Sequence, residues 1–245
     1  MKTKILTLFL FTTLMVNAQT KYEEDLIKTS VGDVKITFLS HATLILSVNN
    51  FVIHVDPWTK AADYTQLPKA DLILVTHQHG DHLDKSAIDM IQKSGTVLIF
   101  TAKCNESQPG LKGTIMKNGE VKKVGVVDIE AVPAYNLIGK RDDGSPFHPK
   151  GEGNGYVVTI GGKRFYFAGD TENTPEMKAL KSIDVAFLPM NLPYTMTPEM
   201  VADAAKAFHP VVLYPYHTGE TDLTKLATLL KGYYFPMQIV RRKSL

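Results

Sequence analysis

The sequence predicts an α/β protein of two β-sheets packed together, with helices on the outside. Three observations predict it. Short apolar runs rich in β-branched residues dominate the first half of the 245-residue chain. A second set of such runs opens the other half, where helices and strands then alternate. No low-complexity tract or long Pro/Gly/Ser linker separates the two sets, so a single domain over 19–245 is expected.

Residues 1–18 read as a secretory signal. Lys2 and Lys4 form a positive start, 5–16 is a run of twelve uncharged residues, and Val16-Asn17-Ala18 offers a small residue for cleavage before Gln19. Spanning a bilayer takes roughly 20 apolar residues. No transmembrane anchor is therefore expected after cleavage, and the mature protein is expected in a periplasm or outside the cell. Strands follow at 34–39, 44–48, 51–55, 72–75 and 97–100, with Asn49-Asn50 as a hairpin turn. Ala87, Ile88 and Ile91 lie at helical spacing within 85–93.

The second set has strands at 124–129, 156–160 and 164–167, the last two joined by a tight turn at Gly161-Gly162. A helix at 176–180, a strand at 185–188, a helix at 198–208 and a strand at 211–214 come next, with a last helix at 222–230. Thr197 suits the N-cap of its helix, and Pro198 the first turn, where a missing N–H is harmless.

Composition narrows the function classes. With 44% hydrophobic and 21% charged residues the chain can build a core, so disorder is excluded. The single cysteine, Cys104, excludes a disulfide framework and reads as a buried small hydrophobe. Without 1–18 the chain carries 25 basic and 25 acidic residues, which gives no reason to expect nucleic acid as a partner.

The chemistry is concentrated in Thr76-His77-Gln78-His79-Gly80-Asp81-His82, directly after an apolar strand. Residues i and i+2 of an extended segment face the same way, so His77 and His79 can reach one ion together. After the turn at Gly80, Asp81 and His82 can reach a second. Imidazole and carboxylate without thiolate suit zinc, and also iron or manganese. No nucleophile-elbow serine competes, because Gly144-Ser145-Pro146 lacks the pattern. Gly151-Glu152-Gly153-Asn154-Gly155 precedes a strand, so it provides no phosphate-binding helix start.

The same residues resemble the T-H-x-H-x-D-H signature of the metallo-β-lactamase fold superfamily. Phe38-Leu39-Ser40-His41-Ala42, Ile53-His54-Val55-Asp56-Pro57-Trp58, Tyr166-Phe167-Ala168-Gly169-Asp170-Thr171 and Tyr214-Pro215-Tyr216-His217 resemble further landmarks. They match the branch that holds ascorbate-6-phosphate lactonase-like and N-acylphosphatidylethanolamine phospholipase D-like hydrolases. The resemblance implies an αββα sandwich of two mixed β-sheets with helices on the outer faces. It also implies two divalent ions, zinc foremost. His77 and His79 would bind the first, Asp81, His82 and His217 the second, and Asp170 would bridge them. Where relatives have a third histidine for the first ion, this chain has Asn136, in Pro133-Ala134-Tyr135-Asn136. An amide oxygen is a poor zinc ligand, so His148, in the loop that follows, stands beside Asn136 as the alternative.

Among the other histidines, His41 resembles a landmark near the site rather than a ligand. His54 reads as a packed strand residue and His209 as the end of a helix. Asp56 suits a hydrogen bond to a ligand histidine. Tyr135, Arg141, Lys150 and Tyr194, in loops beside the ligands, are candidates to bind substrate. Leu192-Pro193-Tyr194-Thr195-Met196-Thr197 also resembles a family stretch. The expected function is an exported metal-dependent hydrolase. It would use a metal-bound hydroxide, with Asp81 and Asp170 as catalytic carboxylates, to cleave an ester, lactone or phosphodiester bond of a small-molecule or lipid-like substrate. The alternative is a metal-binding or redox protein on the same scaffold without hydrolytic turnover. A β-lactamase proper is disfavoured, because the resemblance there implies no final histidine, and His82 is present.

Overall fold

The computed structural model describes residues 22–233, 237–242 and 245. The segment read as a secretory signal lies outside them. Two seven-stranded sheets make up the frame. The first contains β1 (Glu23–Thr29), β2 (Gly32–Ser40), β3 (Thr43–Val48), β4 (Phe51–Val55), β5 (Leu72–Leu74), β6 (Val97–Phe100) and β7 (Thr114–Ile115), in sequence order. The second contains β8 (Val121–Val124), β9 (Val127–Ala134), β10 (Gly153–Ile160), β11 (Lys163–Phe167), β12 (Val185–Pro189), β13 (Val212–Tyr216) and β14 (Gln238–Ile239). Each sheet is mixed in the same way. Its first four strands form an antiparallel meander, and the remaining three continue in parallel.

Alternation along the strands decides what packs where. Val34, Ile36 and Phe38 of β2 and Leu44 and Leu46 of β3 point inward. They meet Tyr156 and Val158 of β10, Phe165 and Phe167 of β11 and Phe187 of β12 in one core between the sheets. Stacked rings run through it: Phe167 on Phe187 at 4.8 Å and Phe187 on Tyr214 at 5.0 Å. The opposite faces are covered by helices. Ile45, Ile73 and Leu98 pack with Ala87, Ile88 and Ile91 of α1 (Lys85–Ile91) and Cys104 of α2 (Ala102–Ser107). Tyr166, Ala186 and Leu213 pack with α3 (Pro175–Lys178), α4 (Pro198–Phe208) and α5 (Leu223–Leu230). The order of layers is thus αββα. No helix among the described residues is long and apolar enough to cross a membrane.

Local chemistry accounts for the joints. Asn49 and Asn50 both have positive φ (46° and 67°), as do Gly161 and Gly162 (52° and 82°), which matches two-residue hairpin turns. Thr197 caps α4 by accepting the Met200 N–H, with Pro198 in the first turn. Two expectations needed correction, and the strand β1 was not expected. The run 124–129 is a turn and a strand, because Gly125 takes φ +54° between β8 and β9. The helix expected at 176–180 is the four-residue α3. β1 has no counterpart in the sequence reading, because its Glu-Glu-Asp-Leu-Ile-Lys-Thr composition carries no strong apolar alternation.

Candidate metal centre

Apart from His148, in the loop before β10, the expected ligands gather at the C-terminal ends of strands, where sites in α/β sheets form. Beyond β5 the chain is pinned by Asp56, just after β4. The Asp56 carboxylate accepts the N–H and hydroxyl of Thr76, both at 2.8 Å. The His82 and Leu83 N–H groups then return to the His79 carbonyl at 3.0 and 2.8 Å, which closes the turn around Gly80. From the other sheet, Gly169 takes φ +65°, and a Cβ there would lie 2.9 Å from the Thr76 Cβ. Only glycine lets the end of β11 come this close, and so bring Asp170 to the cluster. His217, after β13, donates its backbone N–H to the His41 carbonyl at 3.1 Å.

These constraints bring two four-residue groups together. One is His77, His79, His148 and Asp170; the other is His41, Asp81, His82 and His217. Asp170 also faces the second group. Its Oδ2 lies 3.3 Å from His148 Nε2 and 3.8 Å from His77 Nε2. Its Oδ1 lies 3.4 Å from both His82 Nε2 and His217 Nε2. A tetrahedral ion with bonds of roughly 2.1 Å separates its ligand atoms by about 3.4 Å. His82 Nε2, His217 Nε2 and Asp170 Oδ1 are moreover buried without a hydrogen-bond partner. Buried polar atoms left unpaired are costly, and a cation among them would satisfy all three. The donor set therefore fits divalent ions.

Three histidines are aimed by the same device. His82 Nδ1 donates to Asp56 Oδ2 at 2.8 Å, and His77 Nδ1 is 3.1 Å from Thr76 Oγ1, whose own hydrogen goes to Asp56. His148 Nδ1 is 2.8 Å from Asn136 Oδ1. In each case Nδ1 is engaged on the outside and Nε2 faces the cluster, the tautomer a metal requires. Asn136 also accepts the His148 backbone N–H at 2.7 Å and donates its amide to the Tyr194 carbonyl at 2.9 Å. Glu172, which the sequence reading missed, fixes this loop. Its buried carboxylate accepts the N–H groups of Leu137, Ile138 and Gly139 at 2.6, 2.8 and 2.8 Å. A glutamate two residues after Asp170 carries no signal of that role in the sequence.

Electrostatics follow from the crowding. Burial disfavours charge on Asp170, but His217, His82, His148 and His77 outweigh it and hold the carboxyl well below the usual range. Burial likewise opposes charge on His82, yet Asp170, Asp56 and Asp81 raise its pKa to about 9. Burial and the neighbouring His82 push His77 well below the usual imidazole value. The crowding thus favours the ionised Asp170 carboxylate and positive charge beside it, which suits a cation.

The cavity over the cluster measures about 260 Å3 and is lined on one side by His79, Asp81, His148, Asp170 and His217. Arg141 and Tyr194 line it as well. His41, expected beside the site, is closer than that. Its Nε2 lies 3.0 Å from Asp81 Oδ2, and its ring centroid is 3.6 Å from that of His217. Tyr135 and Lys150 do not line the cavity. The Tyr135 hydroxyl donates to Glu176 at 2.9 Å, and Lys150 Nζ bonds the same carboxylate at 2.8 Å, so both polar ends are committed elsewhere. His54 is buried and bonded to the Pro68 carbonyl, and His209 caps the end of α4. Cys104 is buried under the first sheet, apart from the two donor groups.

A family model described as the beta-lactamase superfamily domain matches residues 35–217, a stretch that holds the complete donor set. The chain belongs to the metallo-β-lactamase superfamily. Within it, the chain is 31% identical to a UPF0173 metal-dependent hydrolase of Pelotomaculum thermopropionicum over 192 residues, 75% of this chain and 84% of the relative. Among solved structures it is similar to a presumed metal-dependent hydrolase from Parabacteroides distasonis, with 45% identity and a TM-score of 0.85. That match covers 91% of this chain and all of the other. It also resembles Igni18, a metallo hydrolase from Ignicoccus hospitalis, with 25% identity and a TM-score of 0.66 over 86% and 95% of the two chains. These relatives are named as metal-dependent or metallo hydrolases, and the matches span 84% to all of their length.

Proposed function

We propose that this protein is an exported hydrolase that carries two divalent ions, zinc foremost, and cleaves an ester, lactone or phosphodiester bond. The observation that carries the reading is the divided Asp170 carboxylate, one oxygen toward each donor group. His77, His79, His148 and Asp170 would hold the first ion. Asp81, His82, His217 and Asp170 would hold the second. Asn136 aims His148 instead of binding metal itself, since its oxygen is occupied by two hydrogen bonds.

When bound, such ions supply Lewis acidity at the substrate oxygen and bring the pKa of water towards about 7. The chain's own contribution is orientation. Asp81 is held by His41 at 3.0 Å and faces the cavity, where it can position the attacking water. Asp56 and Thr76 keep the histidine rings from turning. Tyr194 and Arg141 are the substrate-binding candidates that line the cavity. The basic start and uncharged run of residues 1–18 support export.

Metal analysis of protein purified without chelator tests the reading. Two equivalents per chain, with hydrolysis of a 4-nitrophenyl ester, a lactone or bis(4-nitrophenyl) phosphate that is lost on chelation, are expected. One equivalent at saturation would overturn the paired-ion mechanism.

A further inference from the structure

Outside the donor set and His41, the cavity wall consists of Arg141, Phe147, Asn191 and Tyr194. Arg141 is the only lysine or arginine among the residues that line it. Elsewhere, Arg164 and Arg242 are each paired with a carboxylate, Glu130 at 3.2 Å and Asp25. Arg141 makes no such ion pair among the described residues, although the nearby Asp143 carboxyl is held below its usual range by its Ser145 hydrogen bonds and, to a lesser degree, by the Arg141 charge. It donates to the Phe147 carbonyl at 3.2 Å, and its guanidinium carbon lies 5.3 Å from the centroid of the Phe147 ring. Asp143, on the same loop, is turned to Ser145, whose N–H and hydroxyl it accepts at 2.9 and 2.6 Å.

The loop is built to hold that position. Arg141 N–H bonds the Ser145 carbonyl at 2.8 Å, Gly144 N–H returns to the Arg141 carbonyl at 3.0 Å, and Glu172 anchors the base of the loop. Phe147, beside the guanidinium, meets Tyr194 edge-on at 5.1 Å, so a second ring of the cavity wall backs the first. A planar cation with donors to spare, on a hydrogen-bonded loop beside an aromatic ring and lining the same cavity as the metal donors, suits an anion attached to a flat or apolar group.

Resting on the hydrolase reading, we infer that the substrate carries a carboxylate or phosphate in addition to its scissile bond. Arg141 grips this group while an apolar portion lies against Phe147 and Tyr194. Arg141 is thus a specificity-determining residue.

Two measurements on the metal-loaded protein test it. The first compares kcat/KM for 4-nitrophenyl hydrogen succinate and neutral 4-nitrophenyl butyrate in wild type and Arg141→Gln. Wild type is expected to prefer the anionic ester, and the variant to lose that preference on the order of 10- to 100-fold, mainly through KM. Metal content and melting temperature should stay unchanged, and hydrolysis of the neutral ester should fall less than that of the anionic one. Arg141→Lys, which keeps the charge, should recover part of the preference.

The second is isothermal titration with phenylacetate and phenylphosphonate, against uncharged phenylacetamide. Tenfold weaker binding of the carboxylate, the phosphonate or both in Arg141→Gln supports the assignment and identifies the preferred anion. Equal affinities in both proteins would overturn it. If wild type hydrolyses neither ester, the hydrolase reading loses support, and the titrations still decide the role of Arg141.

Discussion

The side-chain oxygen of Asn136 accepts both the backbone N–H and the ring Nδ1–H of His148, at 2.7 and 2.8 Å. The amide stands where the family resemblance implies a histidine, and it holds a histidine from the next loop in the direction of the donor cluster. On the proposed reading, ligand and support have exchanged places along the chain.

Replacing His148 by Ala should reduce occupancy of the first ion more than replacing Asn136 by Ala. Loss of an orienting partner typically lowers metal affinity about 10- to 100-fold, whereas His148→Ala deletes a donor outright. Titration of each variant with zinc under a competing chelator reads the order directly. A larger loss in Asn136→Ala would assign the ligand to the amide.

Asp170→Ala should reduce hydrolysis on the order of 10³-fold or more, because the carboxylate faces both donor groups. Bound metal should fall with it, while the circular-dichroism spectrum keeps its native shape. Full activity in this variant would be incompatible with a shared carboxylate.

Asp56 is fully buried and accepts three hydrogen bonds, two from Thr76 and one from His82. Asp56→Ala leaves those donors unpaired, so a stability loss of about 3–5 kcal/mol is expected in urea titration. The second ion should bind more weakly as well, about 10- to 100-fold.

His54 gives a pH dependence independent of metal. Burial lowers its pKa to about 4, against a weaker opposing bond to the Pro68 carbonyl. The folded state therefore resists a proton that the unfolded chain accepts near pH 6.5. This group's stabilisation is complete above about pH 6.5, falls as the pH drops towards about 4 and is flat below that, a change of about 3 kcal/mol. His54→Gln, which keeps a donor for Pro68, should show a shallower loss across that window.

Gly139→Ala should disturb the first ion from a distance. A Cβ at Gly139 would meet Glu172 Oε1 at 2.8 Å and Asn136 Nδ2 at 2.9 Å. Relief of that overlap moves the loop that aims His148, at a cost of about 1–3 kcal/mol in stability. Lower zinc occupancy without loss of fold is the expected readout.

Much of this was legible in the sequence because the informative residues are close together. The imidazoles of the 76–82 segment are separated by one or two positions, and β-branched alternation marks most strands of both sheets. Asn49-Asn50 and Gly161-Gly162 announce their turns because few other pairs tolerate positive φ. Legibility ended where long-range folding decides. His148 and Asn136 meet only because the intervening loop doubles back, and spacing alone could not choose between them. Tyr135 and Lys150 sit beside the ligands in sequence but turn to Glu176, an acid some 40 residues from Tyr135. β1 was hidden because as an edge strand it carries charge, with Leu26 exposed.

The donors are divided between the two sheets. His77, His79, Asp81 and His82 follow β5, while His148 precedes β10, Asp170 follows β11 and His217 follows β13. Neither half carries a complete set, so any ion held by Asp170 rivets one half to the other. Holding the halves together and capturing metal then become one equilibrium. At a free ion concentration a thousand times its dissociation constant, such a rivet adds about 4 kcal/mol against unfolding. The thermal endurance of this protein would accordingly track the metal supply of its surroundings, with chelating conditions loosening the seam long before they reach the core.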